Sequence, residues 1–363
     1  MNFYLISNSY KSFYLFRKEI INELSKKYNI ILIANEDSYL KYFNKKYECF
    51  YLKNLFNNKN IVKNLILVFK ILSIFIRKKP HIVQTYTIHP NLLCIPIAKI
   101  FFSKTSAMIT GMGATSVSKS LVLKRIIDFF YKISFLFCDH IIYVNEHDKK
   151  YFYNNLRINV KNINIFGAGV KKVKKISTKN ILFYKYNLSS TFNIVFIGRL
   201  IQEKGILDAI KIFKLIRIPN KRLIIVGDLD SRGFSDSIDK KILKYPGIIF
   251  AGELLKTDSI YKFADIFILP SITEGMPTSL MEAIMNDVVT ISYKIPGVDD
   301  LIKNKINGIK LKKYSINLAV HEIHKLYKSK IYRNFLIKNS EKLKFKIDRN
   351  IVVNKVLRVY EQL

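Results

Sequence analysis

Two carboxylates, Glu274 and Glu282, lie eight positions apart in a segment predicted to run from a strand through a loop into a helix. A short apolar run typical of a buried strand precedes Glu274. Pro277 suits the first position of the helix, and Thr278 or Ser279 is expected to cap it. We therefore expect Glu274 just before the helix N-terminus and Glu282 about one turn inside it.

The N-terminus of a helix presents free N–H groups and the positive end of the helix dipole, which together favour a bound diphosphate. A carboxylate beside it can accept two hydrogen bonds from a diol. A nucleotide sugar combines both features, since its diphosphate lies between a ribose and a second sugar. The spacing alone is equally compatible with an ordinary strand–loop–helix segment whose two glutamates are solvated.

A second motif, Gly198-Arg-Leu-Ile-Gln-Glu-Lys-Gly205, directly follows another predicted strand. Its two glycines permit close approach of the backbone, and Arg199 and Lys204 bring two cations to the carboxyl end of that strand. A leaving diphosphate needs such charges as its bond to the sugar breaks. By itself the motif also fits a strand–helix turn with solvated charges, and its combination with the paired glutamates is the stronger signal.

Short apolar strands alternate with longer helical patterns in both halves of the chain. Strands are predicted at residues 3–6, 30–34, 81–84, 107–109, 140–144, 193–197, 222–226, 248–251, 266–269 and 288–293. Helices are expected between them, for example at residues 16–28 and 92–102. This alternation predicts two α/β domains with parallel sheets, whose ligands bind outside the carboxyl ends of the strands in a central cleft.

A basic stretch containing Ser, Thr and Asn interrupts the alternation and predicts a linker. The predicted domains are residues 1–172 and 193–349, joined by a linker at residues 173–192. A final helix at residues 350–363 is expected to dock on one of the two domains, with the first domain as the candidate.

The chain of 363 residues carries 61 Lys and Arg against 27 Asp and Glu, a formal charge of +34. This balance favours polyanionic partners such as nucleic acid, an anionic membrane or a phosphorylated substrate. The three cysteines form no CxxC pair, which argues against a disulfide framework or a zinc module. The first residues indicate a strand rather than a signal peptide, and no apolar run reaches the roughly 18 residues that span a membrane.

Two predicted helices approach that length. In residues 61–79, Lys63, Lys70 and Arg77 recur every seven positions on one side of an otherwise apolar helix. Residues 121–138 show a similar polar stripe. Either helix could lie in a membrane interface, and either could equally be a buried helix of an α/β layer with one wetted stripe.

The second half contains a set of short motifs: Gly198-Arg-Leu, Glu203-Lys-Gly205, Val226-Gly-Asp228, Ala264-Asp-Ile266, Leu269-Pro-Ser271, Glu274-Gly-Met-Pro277, Glu282-Ala283, Pro296-Gly297 and Asn307-Gly308. Together they resemble the retaining glycosyltransferases of the "glycosyltransferases group 1" class, or family 4. The resemblance implies the GT-B fold, an α/β architecture of two Rossmann-like domains with parallel sheets facing a central cleft.

The first half is similar to one subgroup of that family, which acts on capsular, O-antigen and other undecaprenyl-diphosphate-linked glycans. The similar stretches are Gln84-Thr-Tyr-Thr-Ile-His-Pro-Asn91, Ile109-Thr-Gly-Met-Gly113, Val144-Asn145 and Gly167-Ala-Gly-Val170. The resemblance therefore implies a lipid-linked saccharide acceptor and a peripheral position on the inner face of the bacterial membrane.

The resemblance also implies roles for individual residues. Arg199 and Lys204 would hold the donor diphosphate, Glu282 would accept hydrogen bonds from the ribose, and Glu274 would hold the transferred sugar near its anomeric carbon. The implied catalytic residues are Glu274, Arg199 and Lys204. The implied donor-binding residues are Gly198, Arg199, Lys204, Glu274, Gly275, Met276, Pro277, Thr278 and Glu282.

The implied reaction transfers a hexose or N-acetylhexosamine from a nucleotide sugar, most often UDP-linked, with retention of anomeric configuration. The leaving phosphate would draw the proton from the acceptor hydroxyl. No metal or other cofactor is expected, because basic residues and a helix N-terminus replace the cation. The motif Asp228-Leu-Asp230 binds a metal in a different glycosyltransferase fold, but here it reads as a turn after a strand.

The sequence departs from the family pattern in four loops. Ser7-Asn-Ser-Tyr-Lys-Ser12 replaces a Gly-Gly pair, and Thr110-Gly-Met-Gly113 stands where many relatives carry a histidine. Asn286-Asp287 replaces a glycine, and Val298-Asp-Asp300 replaces a run similar to Cys-Arg-Glu. These changes leave no residue assigned as a general base, while His89 is a candidate for the acceptor side.

Two other functions are compatible with parts of the sequence. A nucleotide-sugar epimerase or a phosphorylase would use the same fold and the same phosphate-binding loops. A basic nucleic-acid-binding protein would explain the charge, but the sequence lacks RRM, KH and zinc patterns, so nucleic acid is not expected as a partner.

Overall fold

The computed structural model describes residues 1–53, 55–56, 60–112, 121–173, 188–228, 245–254 and 257–363. These residues fold into two compact units. Unit 1 contains residues 1–168 and 350–363, and unit 2 contains residues 169–349. Most of the predicted linker, residues 173–192, lies outside the described residues.

The chain passes between the two units twice. Residues 169–172, expected at the end of the first domain, belong to unit 2. There the backbone N–H of Arg349 donates to the carbonyl oxygen of Val170 at 3.0 Å. The C-terminal helix belongs to unit 1, where the ring of Tyr360 packs edge-on against Phe3 at 5.1 Å.

Unit 1 is built on seven parallel strands. They are β1 (Asn2–Ile6), β2 (Asn29–Asn35), β3 (Glu48–Leu52), β4 (Ile82–Tyr86), β5 (Lys104–Ile109), β6 (His140–Tyr143) and β7 (Asn162–Asn164). Their order in the sheet is β3-β2-β1-β4-β5-β6-β7. The order of the strands reverses between β1 and β4, which is where doubly wound folds place their ligands.

Helices cover this sheet. They are α1 (Tyr10–Phe16), α2 (Lys18–Leu24), α3 (Ile61–Arg77), α4 (Ile88–Ile100), α5 (Leu121–Phe135) and α6 (Glu146–Asn154), with a short 3-10 helix at Leu40–Tyr42. Helices α3, α4 and α5 pack side by side. Ala98 of α4 shares a core cluster with Ile71 of α3, and Ile95 of α4 shares another with Tyr131 of α5.

Unit 2 repeats this architecture with six parallel strands. They are β8 (Phe192–Ile197), β9 (Lys221–Val226), β10 (Ile248–Phe250), β11 (Ile266–Leu269), β12 (Val289–Tyr293) and β13 (Ile309–Leu311). The order is β10-β9-β8-β11-β12-β13. The reversal therefore falls between β8 and β11, which carry the two charged loops.

The helices of unit 2 are α7 (Ile206–Leu215), α8 (Asp258–Tyr261), α9 (Thr278–Met285), α10 (Pro296–Asp299), α11 (Ile316–Lys328), α12 (Lys330–Lys338) and α13 (Glu341–Ile347). The last helix, α14 (Arg349–Glu361), extends into unit 1. Short 3-10 helices lie at Leu188–Ser190 and Gln202–Lys204.

All ten predicted strands are present, because continuous apolar runs such as β8 are buried on both faces of a parallel sheet. Three strands were missed. Strands β7 and β13 have only three residues each. Strand β3 at the sheet edge is half-exposed, so its sequence lacks a continuous apolar run.

Two helix predictions are wrong in detail. The helix expected at residues 16–28 is two short helices, because the backbone leaves helical geometry at Arg17. The Arg17 side chain is buried and its guanidinium lies 4.6 Å from the centre of the Tyr86 ring. Helix α9 begins at Thr278 with Pro277 as the preceding residue, and no side chain caps it.

Helices α3 and α5 are not buried helices with a single wetted stripe, so that interpretation is wrong. Each buries one side in the core and exposes large apolar side chains on the other, including Phe69 of α3 and Phe129 of α5. Within the described residues, no helix combines the length and the apolar character needed to cross a bilayer.

Candidate active site

The two charged loops lie together because their strands are neighbours. Strands β8 and β11 pair in parallel, with Ile194 opposite Ile266, so their carboxyl ends meet at one edge of the sheet. The motif from Gly198 to Gly205 follows β8, and the loop that carries Glu274 follows β11. This edge is also the point at which the strand order reverses, the usual ligand position in such sheets.

Backbone contacts hold the two loops against each other. The N–H of Ile272 donates to the carbonyl oxygen of Glu203 at 2.9 Å. Gly205 has a φ of +75°, and a Cβ atom there would lie 2.0 Å from the carbonyl oxygen of Pro270. Only glycine fits this position, because it is both left-handed and in contact with backbone. The glycine therefore fixes how closely the two loops approach.

Lys204 and Glu274 meet across this junction. The Lys204 ammonium nitrogen lies 2.6 Å from Oε2 of Glu274, and both side chains are mostly buried, at 20% and 9% exposure. The Ser271 hydroxyl donates to the other carboxylate oxygen at 3.0 Å. A carboxylate held at both oxygens has one orientation, so the pair forms a preorganised polar site rather than two solvated charges.

Glu282 lies inside α9 and is held separately. The hydroxyl of Tyr261, at the end of α8, donates to Oε2 of Glu282 at 2.8 Å. The Thr257 hydroxyl lies 3.4 Å from the same oxygen. These contacts orient the second carboxylate toward α8, so the two glutamates are held by different partners and occupy distinct positions.

Sequence reasoning missed the supporting residues Ser271, Tyr261 and Thr257. Ser271 ends the motif Leu269-Pro-Ser271, three residues before Glu274. This short separation could have indicated the hydrogen bond between the two side chains. Tyr261 lies 21 positions before Glu282. Nothing in the spacing of these two residues indicates contact, because it depends on how α8 packs beside α9.

Further glycines bring neighbouring loops to the same edge. A Cβ atom on Gly227 would lie 1.9 Å from the carbonyl oxygen of Gly198. A Cβ atom on Gly297, in the first turn of α10, would lie 2.4 Å from the carbonyl oxygen of Gly275. The loops after β8, β9, β11 and β12 are therefore packed together at backbone distance.

The remaining predicted site residues lie on these loops. Arg199 is exposed on the loop after β8, and Gly275 and Met276 are half-buried on the loop after β11. Pro277 is buried and Thr278 opens α9. The structure thus joins Lys204 directly to Glu274 and places the other predicted residues on the loops after β8 and β11 and on α9, within unit 2.

The candidate metal ligands and histidines lie apart in the part of the chain that the structure describes. Among the described residues, no group of three or more His, Cys, Asp or Glu side chains could hold a metal ion. Asp230 of the Asp228-Leu-Asp230 motif lies outside the described residues. His324 accepts a hydrogen bond from the N–H of Arg217 at 3.2 Å. In unit 1, burial lowers the pKa of His89 below its usual value.

The departure at Asn286-Asp287 has a structural explanation. Asp287 has a φ of +63°, the left-handed conformation that glycine takes most readily and that Asp tolerates. Its carboxylate accepts from Lys172 at 2.8 Å and also from Lys344. Although the carboxyl is partly desolvated, these two partners hold the pKa of Asp287 below its usual value. An aspartate here therefore binds the segment that enters unit 2.

Comparison with known proteins agrees with this geometry. Residues 179–343 match the sequence model of the family "Glycosyl transferases group 1". The chain is 26% identical over 322 residues to the N,N'-diacetylbacillosaminyl-diphospho-undecaprenol alpha-1,3-N-acetylgalactosaminyltransferase of Campylobacter jejuni, covering 86% of this chain and 81% of that protein. It is 23% identical over 350 residues to the capsular polysaccharide biosynthesis glycosyltransferase CapM of Staphylococcus aureus, covering 94% and 91%.

The two-unit architecture is shared with solved structures. Anabaena HepE, solved in complex with UDP, superposes with a TM-score of 0.80 at 13% sequence identity, and the similarity covers 100% of both chains. Identity this low establishes the fold alone. With two parallel-sheet units of this order, the chain has the GT-B fold, and its residues 179–343 are similar to the group 1 glycosyl transferases.

Proposed function

We propose that this protein transfers a hexose or an N-acetylhexosamine from a UDP-linked sugar to a saccharide carried on undecaprenyl diphosphate, with retention of anomeric configuration. The observation that carries the proposal is the contact between Lys204 and Glu274 where β8 and β11 end. A cation and an oriented carboxylate, side by side before a helix N-terminus, match the diphosphate and the sugar of such a donor.

In this proposal the positive groups of the edge receive the diphosphate. Lys204 and the exposed Arg199 supply two charges, and the first turn of α9 supplies backbone N–H groups and the positive end of its dipole. Charges fixed in advance stabilise the leaving group without reorganisation during the reaction. These groups are proposed to fill the role that a metal ion has in other transferases.

The two glutamates are proposed to recognise opposite ends of the donor. Glu282, fixed by Tyr261, accepts hydrogen bonds from the ribose hydroxyls. Glu274, fixed by Ser271 and Lys204, accepts hydrogen bonds from hydroxyls of the transferred sugar. Backbone groups around Met276–Thr278 are proposed to contact the sugar or the phosphate.

The proposed reaction needs no covalent intermediate with the protein. The bond between the anomeric carbon and the β-phosphate oxygen breaks, and the acceptor hydroxyl oxygen bonds to the anomeric carbon from the same face. The acceptor proton moves to the leaving phosphate oxygen, and UDP departs. Lys204 stabilises the charge that develops on the diphosphate, which is why its removal is expected to lower the turnover rate.

The relatives support the proposed acceptor and the proposed location. The Campylobacter jejuni relative is named for an undecaprenol-diphosphate-linked acceptor, and CapM for capsular polysaccharide biosynthesis. We place the acceptor saccharide on unit 1, since unit 2 supplies the donor groups. Because such an acceptor is lipid-linked, we also propose that the protein is peripheral on the inner face of the bacterial membrane.

A donor and acceptor panel tests the proposal. The full chain is incubated with UDP-hexoses and UDP-N-acetylhexosamines in the presence of synthetic undecaprenyl-diphosphate-linked saccharides. Mass spectrometry should show the acceptor gaining one sugar, and exoglycosidases of known anomeric specificity should report the donor configuration in the product. No gain in mass across the panel would contradict the proposed function, and an inverted product would contradict retention alone.

The rival functions give different results in the same assay. An epimerase or phosphorylase would change the donor in the absence of any saccharide acceptor. A nucleic-acid-binding protein would leave every donor intact and would retain RNA in preference to anionic vesicles. The comparisons with known proteins favour neither rival.

A further inference from the structure

Helix α3 has two apolar faces on opposite sides. Leu67, Ile71 and Phe75 face the core of unit 1 and are fully buried. Ile61, Leu65, Phe69 and Ile76 are exposed, and at 100° per residue they cluster on the side opposite the core. Phe69, at 69% exposure, lies near the middle of this outward face. An ordinary surface helix has charged residues there.

Helix α5 repeats the arrangement. Tyr131 and Phe135 are buried, while Phe129 on the opposite side is 59% exposed. The other exposed apolar residues of this segment are Val122, Ile126, Phe130, Ile133, Leu136 and Phe137. The rings of Phe129 and Phe130 contact each other edge-on with centroids 5.9 Å apart. Two helices of one layer therefore display apolar rows to solvent.

Basic residues border both rows. Lys63, Lys70 and Arg77 are exposed along one flank of α3, which contains no acidic residue. Arg125 and Lys132 are exposed on α5. The only acidic residue of α5, Asp128, accepts a hydrogen bond from the Tyr151 hydroxyl at 2.5 Å. The border is therefore almost entirely cationic.

We propose that the outward faces of α3 and α5 dock onto the interface of an anionic lipid bilayer, with Phe69 and Phe129 among the inserted side chains. Apolar rows with a basic border fit such an interface, since apolar groups enter the acyl boundary while cations meet lipid phosphates. A second copy of this chain fits less well, because it would bring another surface of the same charge on a protein of +34.

A vesicle flotation assay tests the surface directly. The full chain is mixed with vesicles of phosphatidylethanolamine and phosphatidylglycerol that contain no undecaprenyl lipid, without nucleotide sugar. We expect the wild-type protein to float with these vesicles and to bind pure phosphatidylcholine at least tenfold less. The double variant Phe69→Ser with Phe129→Ser should bind at least tenfold more weakly.

Unit 2 offers a matched control. Phe345 of α13 has 68% exposure, nearly the same as Phe69, but belongs to the other unit. Phe345→Ser should leave flotation unchanged. Equal losses from the Phe345 variant and the double variant would overturn the proposal, since binding would then reflect general stickiness. Binding unaffected by the double variant would overturn it as well.

Analytical ultracentrifugation without vesicles tests whether a second copy of the chain, rather than a lipid bilayer, covers these helix faces. If the wild-type chain forms dimers that the double variant loses, and neither protein floats, the surface is an interface between copies and the lipid proposal is wrong. Circular dichroism and thermal unfolding should show that both variants fold, as expected for exposed residues.

The docking-surface proposal rests on the proposed function only through the lipid-linked acceptor. The docking surface and the glycosyltransferase activity can therefore be contradicted independently. Transfer to a short-chain, water-soluble acceptor should be within about twofold of wild type in the double variant. If the wild-type protein transfers sugar but does not float with the vesicles, only the docking-surface proposal is overturned. Flotation without transfer would overturn only the glycosyltransferase proposal.

Discussion

The two sheets reverse their strand order at equivalent places, but the loops at these two places differ. After β8 and β11, glycines allow backbone contact, and Lys204 pairs with Glu274. After β1 and β4, the chain continues with Ser7 and Thr87. Thr87 has a φ of +71° and a ψ of 165°, a conformation that otherwise belongs to glycine.

The same architecture therefore carries two different edges. Unit 2 uses glycine where the backbone must approach closely, and its edge carries the paired charges of Lys204 and Glu274. Unit 1 keeps a threonine in a strained conformation at the corresponding edge and offers neutral groups there, such as half-buried His89. The edge after β4 therefore differs from that of unit 2 in its backbone conformation.

The largest effect is expected from adding a side chain where Gly205 contacts the backbone of Pro270 in unit 2. Gly205→Ala forces a Cβ atom against the Pro270 backbone and should lower the free energy of unfolding by about 3 kcal/mol or more. Gly252→Ala is the control, since Gly252 also has a positive φ, of +69°, but open space around its Cβ position. It should cost about 1 kcal/mol. Urea unfolding measures both, and equal costs would show that the contact is unimportant.

The next effect concerns the charge pair itself. Lys204→Met should lower kcat by roughly 100-fold, because it removes a fixed charge from the leaving diphosphate. Lys211→Met makes the same change at an exposed position of neighbouring α7 and should retain full activity. Steady-state kinetics with varied donor compares the two. If the Lys204 variant is as active as the Lys211 variant, the Lys204 charge does not contribute to turnover, and the two sheet edges do not differ in the way proposed.

A smaller effect is expected at the second carboxylate. Tyr261→Phe removes the hydroxyl that orients Glu282, and the donor KM should rise about threefold to tenfold with little change in kcat. This split identifies Tyr261 as a positioning residue for binding. A fall in kcat without a change in KM would instead tie Glu282 to the chemical step. Isothermal titration with UDP should show the same loss of affinity.

The smallest effect tests the strain in unit 1. Thr87→Gly and Thr87→Ala both remove the hydroxyl, but only glycine relaxes the positive φ. The glycine variant should therefore be about 1 kcal/mol more stable than the alanine variant. Matched urea unfolding curves measure the difference. A glycine variant less stable than the alanine variant would mean that Thr87 is not strained.

Much of the fold could be predicted from sequence because buried parallel strands are continuous apolar runs. Strands β8 and β11 and the loops after them were located by this signal together with Gly, Pro and charged residues. The short strands β7 and β13 could not be located in this way, because a strand of three residues is too short to show a recognisable apolar run. The break at Arg17 was also unpredictable, because it depends on packing against Tyr86, far away in sequence.

The site and the outward helix faces show the same limit. Glu274 and Lys204 were named from local motifs, but their direct contact follows only once β8 is seen beside β11. Helix α3 is apolar on two sides, so periodicity cannot tell which side faces the core. Sequence therefore left a buried helix and an interfacial helix as equal alternatives, and the exposure of Phe69 removes the first.

Gly297 has a consequence for engineering the loop that holds Glu274. A Cβ atom on Gly297 would collide with the Gly275 carbonyl oxygen, so a side chain at position 297 would displace that loop or the first turn of α10. A mutant library that randomises position 297 should consist largely of misfolded proteins. Asp299, exposed two residues later, can be randomised without touching this contact. Gly297 thus separates a position that accepts no side chain from a neighbouring position that can be varied.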